Sequence, residues 1–405
     1  MEESVPFLRE EFIREACADA ALPEEVTSAL LRRAARTRKG ASLRALVHER
    51  HDALYLTEPP PLAEIRAWPL LATADDPEAN ILYALVALSS LPQMRALYAA
   101  HAIPDDVYRH TLSDVLRWME HYREHAAVDR TSGARGSWGL SPRYLPWLRH
   151  HFLGELFHLG RLQFEPGPHA GWRGANLGAR FFRHRATGNV IALADPDLTF
   201  RADGQLQGAG GVTDPAGEWR SSFDMSDTHA IGQPISPLGY AERRTVALPL
   251  DAWRLALSPG DPVLNIHMPA GSPMDFDQCG ESLRQALDFF PRHFPDRRFE
   301  AFACSSWLLD PQLDGPMPPT SNIVRFQRQV YLLPSPSGGG STLERVFGSA
   351  DVDLATAPRD TALRRAVLGI VERGGHIRSG RSVIFPEDLR AGAWGAERYR
   401  SQPPP

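Results

Sequence analysis

The stretch that decides the fold runs from residue 263 to residue 304. It reads Val263-Leu-Asn-Ile-His267, Met268-Pro-Ala-Gly-Ser-Pro-Met274, a segment from Asp275 to Phe290, and Phe299-Glu-Ala-Phe-Ala-Cys304. The first five residues are a short apolar run typical of a buried strand, and the Pro/Gly segment stops it. Asp275, with Gln278 three positions on, is helix-start chemistry, because a carboxylate there accepts from unpaired first-turn amides. Cys279, Leu283, Ala286, Leu287 and Phe290 follow at helical spacing, which predicts an amphipathic helix over 276–290 ended by Pro291 and Pro295. Residues 299–304 then predict a returning strand, parallel to the first and joined to it by a right-handed crossover. This β-loop-α-β unit marks an α/β or α+β chain.

Upstream, Leu162 and Phe164 alternate with Arg161, Gln163 and Glu165, which predicts another strand with its polar residues on one face. Tyr144 to Leu159 is expected as a helix. Strand candidates follow over 190–220 and at Val246–Leu250. Residues 1–128 carry apolar residues at helical intervals, as in Ala79-Asn-Ile-Leu-Tyr-Ala-Leu-Val-Ala-Leu and from Val107 to Tyr122. The polar, glycine-containing segment 129–137 reads as a boundary loop. Two domains are therefore expected, a helical one over 1–128 and a second over 129–400. Downstream, 322–330 and 361–373 read as helices, the latter stopped by Gly374-Gly375. The fold class is α+β.

The chain has 405 residues, 43% hydrophobic and 23% charged, with 44 basic against 49 acidic groups. Lys39 is the single lysine, so the other 43 of the 44 basic residues are arginine. They are spread along the chain and the net charge is −5, which argues for a coding bias and against the concentrated basic face of a nucleic-acid binder. No apolar run is long enough to span a membrane. The opening MEESVPFLREEF lacks a basic segment followed by an apolar one, so no secretory signal is expected. Three scattered cysteines predict no disulfide framework, and with the preceding points set a cytoplasmic location as the expectation.

Five blocks carry a resemblance. They are His158-Leu-Gly-Arg-Leu-Gln-Phe-Glu165, Gly260-Asp-Pro-Val-Leu-Asn-Ile-His-Met-Pro269, Cys279-Gly-Glu-Ser-Leu283, Cys304-Ser-Ser-Trp-Leu-Leu-Asp310 and Ser321-Asn-Ile-Val-Arg-Phe-Gln327. In this order they resemble the bacterial acyltransferase-domain proteins that join a helical N-acyltransferase N-terminal domain to a GNAT-like C-terminal domain. The resemblance covers most of the chain. It implies a GNAT-like mixed sheet flanked by helices. It also implies transfer of an acyl group from a thioester, acyl-CoA as donor substrate, to an amine of a small molecule or peptide. Met268, Ala270, Gly271 and Ser272, ahead of the helix N-terminus, would then cradle the cofactor pyrophosphate, with Asn322 as a further cofactor contact. The loop departs from the usual GNAT phosphate-loop pattern and Asp275 and Asp277 follow it, so an acyl carrier protein is an alternative donor. Phe326 falls near where many GNAT enzymes have a tyrosine general acid.

The residues themselves nominate chemistry, each beside a structural alternative. His267 ends a strand at the edge where open sheets place ligands, which suits a general base or a histidine that fixes the loop. Glu165 suits a supporting base or a structural partner of Arg161. Arg161, Gln163, Ser306 and Trp307 are expected to contact substrate, although a tryptophan there also suits a core. Asn322 suits helix capping as well as cofactor binding. Asp224, Asp227 and His229 sit in a polar stretch able to form an acceptor loop. Cys279 and Cys304 read as buried hydrophobes, and no spacing of His or Cys suits zinc, so no metal is expected. Two rival functions stand beside the transferase: a non-catalytic GNAT-like binding or scaffold protein, and a thiol hydrolase using Cys279 and His267.

Overall fold

The computed structural model describes residues 5–125, 136–166, 177–349 and 351–402. Most of the expected boundary loop, residues 129–135, lies outside them. Two compact units form: residues 1–159 with Pro269–Ser272, and residues 160–268 with 273–405.

The first unit is helical. Its helices include Glu10–Asp19, Glu24–Lys39, Ala41–His51, Ile81–Leu88, Leu91–Ala100, Asp105–His125 and Leu145–Phe152. Every residue of Ile81–Leu88 is buried, so this helix is apolar all round and forms the centre of the unit. Asp105 and Asp106 sit in the first turn of the longest helix, where the helix dipole favours negative charge. The helix expected over 144–159 stops at Phe152, and Phe157–Leu159 is extended. Gly154 explains the break: it sits at φ +64°, a left-handed conformation that glycine adopts without strain.

In the second unit five strands share one sheet: β1 (Leu162–Pro166), β2 (Val263–His267), β3 (Ala301–Ser306), β4 (Tyr331–Gly338) and β5 (Arg378–Ile384), ordered β1-β2-β3-β5-β4. The β2–β3 pair is parallel and the others antiparallel, which is the mixed sheet expected. Helix α1 (Phe276–His293) connects β2 to β3, and Asp275 Oδ1 accepts the Gln278 amide at 2.8 Å as a cap. The helix runs through Pro291 rather than ending there. A proline in the last turn forfeits only one amide bond, and Phe294 N–H still reaches the Phe290 carbonyl at 2.8 Å. Cys279, Leu283, Ala286 and Phe290 are fully buried on the inner face of α1, and the Phe290 ring meets Phe164 of β1 edge-on.

The other face of this sheet is covered by a second antiparallel sheet rather than by helices. Its strands run in the order Tyr240–Ala241, Pro234–Ser236, Val190–Ala194, Ala179–His184, Trp253–Leu257. Between the sheets lies a core of Phe181, Ala192, Ile235, Val263, Ala303, Leu333 and Val383, among others. Tyr331 ties the two together, its hydroxyl donating to the Ile235 carbonyl and accepting the Ala192 amide.

Candidate functional site

The register of β1 on β2 decides which side chains meet. Gln163 pairs with His267 and Glu165 with Asn265, so the four polar side chains share one face of the sheet. Glu165 is 2% exposed, and a carboxylate that deep in a sheet needs a partner. His267 supplies it from the diagonal position, its Nε2 donating to Glu165 Oε2 at 2.9 Å. The histidine side chain keeps 16% of its surface while the carboxylate keeps 2%, so the pair is anchored at the acid and reaches the surface at the imidazole. A carboxylate holding one ring nitrogen fixes the tautomer, which makes Nδ1 the basic nitrogen.

Beside this pair stand two buried amides. Gln163 Nε2 and Asn265 Nδ2 are buried without a hydrogen-bond partner among the described residues. Unspent donors next to a histidine–carboxylate pair are what a carbonyl-binding site requires, and buried polar groups otherwise find partners.

The remaining expected residues lie elsewhere. Arg161 precedes β1, so strand alternation does not extend to it. Its amide donates to Ser282 Oγ of α1 at 2.6 Å and its Nε to the Pro273 carbonyl at 2.9 Å, which makes it a clamp between helix and loop. Ser306 falls on the face opposite His267, where its Oγ accepts the Leu308 amide. Two-residue alternation puts Ser305 on the His267 face instead, because Ala303 pairs with Asn265. Trp307 packs against a cluster around Leu313, Val324 and Val367. Asn322 begins helix Asn322–Gln329, where the cap position falls to Ser321, whose side chain makes no capping hydrogen bond. Met268 follows β2 in the second unit, whereas Ala270, Gly271 and Ser272 belong to the first. There Gly271, at φ +96°, lies beside Arg117. The polar stretch holding Asp224, Asp227 and His229 is a hairpin, Phe223–Met225 against His229–Gly232. Phe326 is buried against Trp394.

Cys279 and Cys304 are buried, and burial pushes both thiols up to about 12. Cys279 also sits on α1, which covers the sheet face opposite His267, so the thiol route lacks both a thiolate and a base. Among the described residues no three His, Cys, Asp or Glu side chains gather as a metal site, and no helix is long and apolar enough to cross a membrane. Sequence reasoning missed Asn265 and Ser305. Asn265 was legible, two positions before His267 on a predicted strand and hence on the same face.

Residues 156–384 match the family described as the GNAT-like C-terminal domain, and residues 11–154 match the N-acyltransferase N-terminal domain. No curated protein matches the sequence. Among solved structures, the chain is 23% identical to an acyltransferase in complex with CoA and 10C-teicoplanin, at a TM-score of 0.59 over 95% of this chain and 91% of that one. It is 22% identical to an acyltransferase in complex with decanoyl-CoA and teicoplanin, and 22% to an acyltransferase mutant with octanoyl-CoA, each at 0.58 over 93% and 88%. At these identities the likeness is one of fold. The match over more than half of its residues places the chain in the acyltransferase family defined by the GNAT-like C-terminal domain, here preceded by an N-acyltransferase N-terminal domain.

Proposed function

We propose that this protein is an N-acyltransferase that moves an acyl group from acyl-CoA to an amine of a small molecule or peptide. The observation that carries the reading is the His267–Glu165 pair, an imidazole with surface access held by a buried carboxylate. In the proposed reaction the acceptor nitrogen attacks the thioester carbonyl carbon. His267 Nδ1 takes the nitrogen's proton, Glu165 stabilises the resulting imidazolium, the C–S bond breaks, and the imidazolium returns that proton to the departing thiolate, which leaves as the thiol. The unspent amides of Asn265 and Gln163 are suited to the developing charge on the carbonyl oxygen. Met268, directly after β2, is a proposed donor to the cofactor pyrophosphate. Asp277 is paired with Arg325 and highly exposed, which eases its repulsion of such an anion.

Two features of the similar structures support the donor and the acceptor class. They hold octanoyl-CoA, decanoyl-CoA or CoA, and two of them also hold teicoplanin or 10C-teicoplanin, glycopeptide ligands. Incubating the full chain with octanoyl-CoA or decanoyl-CoA and a panel of amino sugars, peptide amines and glycopeptides tests the reading. Thiol release that requires the amine, with an acylated product by mass spectrometry, is expected. Absence of both across donors and acceptors, or thiol release indifferent to the amine, refutes it.

A further inference from the structure

Among the described residues, several buried arginines are matched. Arg33 lies against Asp76, Arg183 against Asp388 and Arg201 against Asp203, while Arg149 donates to the Leu54 carbonyl and to Glu58. Arg381 differs. It lies half-buried on β5 and makes no hydrogen bond or ion pair among the described residues. Burial alone displaces its pKa, downward, with no acidic neighbour opposing the shift. A charge partly withdrawn from water without a counter-charge is disfavoured, and an anionic ligand would complete it.

The surroundings state what that is. Arg381 lines a cavity of about 220 Å³ inside the second unit, with Leu177, Leu198, Phe200, Leu206, Ile235 and Pro334 among its walls. Arg381 is the only charged side chain on that wall, and the rest is apolar or glycine. At roughly 30 Å³ per water the space equals about seven waters, below the usual drug-sized pocket and suited to a slender alkyl chain. A lone guanidinium in apolar walls matches a planar monoanion with two oxygens, since the two parallel N–H groups meet both at once. A phosphate would leave most of its oxygens without donors, and a neutral ester or alcohol would leave the charge unmatched.

We propose that the cavity between the two sheets is a binding site for a straight-chain carboxylate, with its head group on Arg381 and its tail among Leu198, Phe200, Leu206 and Ile235. The register places Arg381 opposite Ser305, on the sheet face that carries Glu165 and His267 and roughly 10 Å, two strand spacings, from β2. The site is thus distinct from the His267–Glu165 pair, and its occupancy does not depend on acyl transfer. The acid comes either from solution or from hydrolysis of an acyl donor.

Calorimetric titration of the full chain with octanoate, 1-octanol and acetate tests this, alongside the variant Arg381→Met, which keeps the aliphatic stem and removes the charge. Octanoate is expected to bind at least tenfold tighter than 1-octanol and to raise the thermal midpoint, with acetate too short to hold. Arg381→Met is expected to lose at least tenfold in octanoate affinity while its 1-octanol affinity stays the same. Native mass spectrometry after incubation with octanoyl-CoA or with octanoate distinguishes the two sources of the acid. Equal binding of octanoate and 1-octanol, equal binding by the variant, or no binding by the folded wild type overturns the proposal. If the variant fails to fold, the octanoate-to-octanol ratio on the wild type decides alone.

Discussion

Each unit of this protein holds a histidine against a buried carboxylate, and the two pairs differ in their access to solvent. In the helical unit, His151 Nε2 lies 3.0 Å from Asp114 Oδ2, and the two side chains are 1% and 2% exposed. In the sheet unit, His267 Nε2 lies 2.9 Å from Glu165 Oε2, but the imidazole is 16% exposed. Asp114 is further held by Arg117 and by Trp147 Nε1, 3.0 Å away. Burial alone would raise its pKa, yet His151, Arg117 and Trp147 hold the carboxyl well below the usual range. That pair is sealed from solvent on both sides. The Glu165–His267 pair stands beside two amides with hydrogen bonds still to make. The lesson is that a histidine–carboxylate distance does not identify a catalytic pair. Only the second pair has the access at the imidazole that the proposed base needs.

The comparison is sharpest under substitution. His267→Gln is expected to lower kcat/KM for acyl transfer by roughly 10² to 10⁴-fold with little change in thermal midpoint, as loss of a general base does. A fall in stability with activity retained would make this pair structural like the other. Asp114→Asn is expected to behave the opposite way, destabilising by about 3–5 kcal/mol in denaturant titration, because it breaks a buried charge cluster and strands Arg117. Stability unchanged to within about 0.5 kcal/mol would show the cluster to be dispensable.

The smallest effect concerns acid. The His110 and His158 rings stack at 3.7 Å, and burial first, then the facing His110, pushes His158 down to about 3 from an ordinary 6.5. Between those values the unfolded chain takes up a proton that the folded one refuses. Stability is therefore complete above about pH 6.5 and falls as pH drops toward 3, by about 1.4 kcal/mol per pH unit at most from this residue. Thermal midpoints measured across this range should fall less steeply in His158→Phe, which keeps a ring and removes the titration. An identical slope in the variant would assign the acid sensitivity elsewhere.

Much of the scaffold was legible because local chemistry agrees with it. The 263–267 strand, the Asp275 cap, the α1 stripe and the returning strand each follow from spacing. The Glu165–His267 pair was nominated as two separate residues 102 positions apart, and only the β1–β2 register made them partners. Ser306 was nominated and Ser305 was not, because composition marks both and only pairing assigns a face. Arg161 was placed on the polar face by an alternation that begins one residue later.

By itself, then, the sequence determined the elements, their order and the residue types available for chemistry, since helical and strand periodicities are local properties of the chain. Tertiary structure decided which of those residues meet. Sheet register, the covering of one sheet by another and the seating of Arg381 in an apolar wall are set by contacts between segments far apart in sequence, and one residue of register moves a side chain to the opposite face.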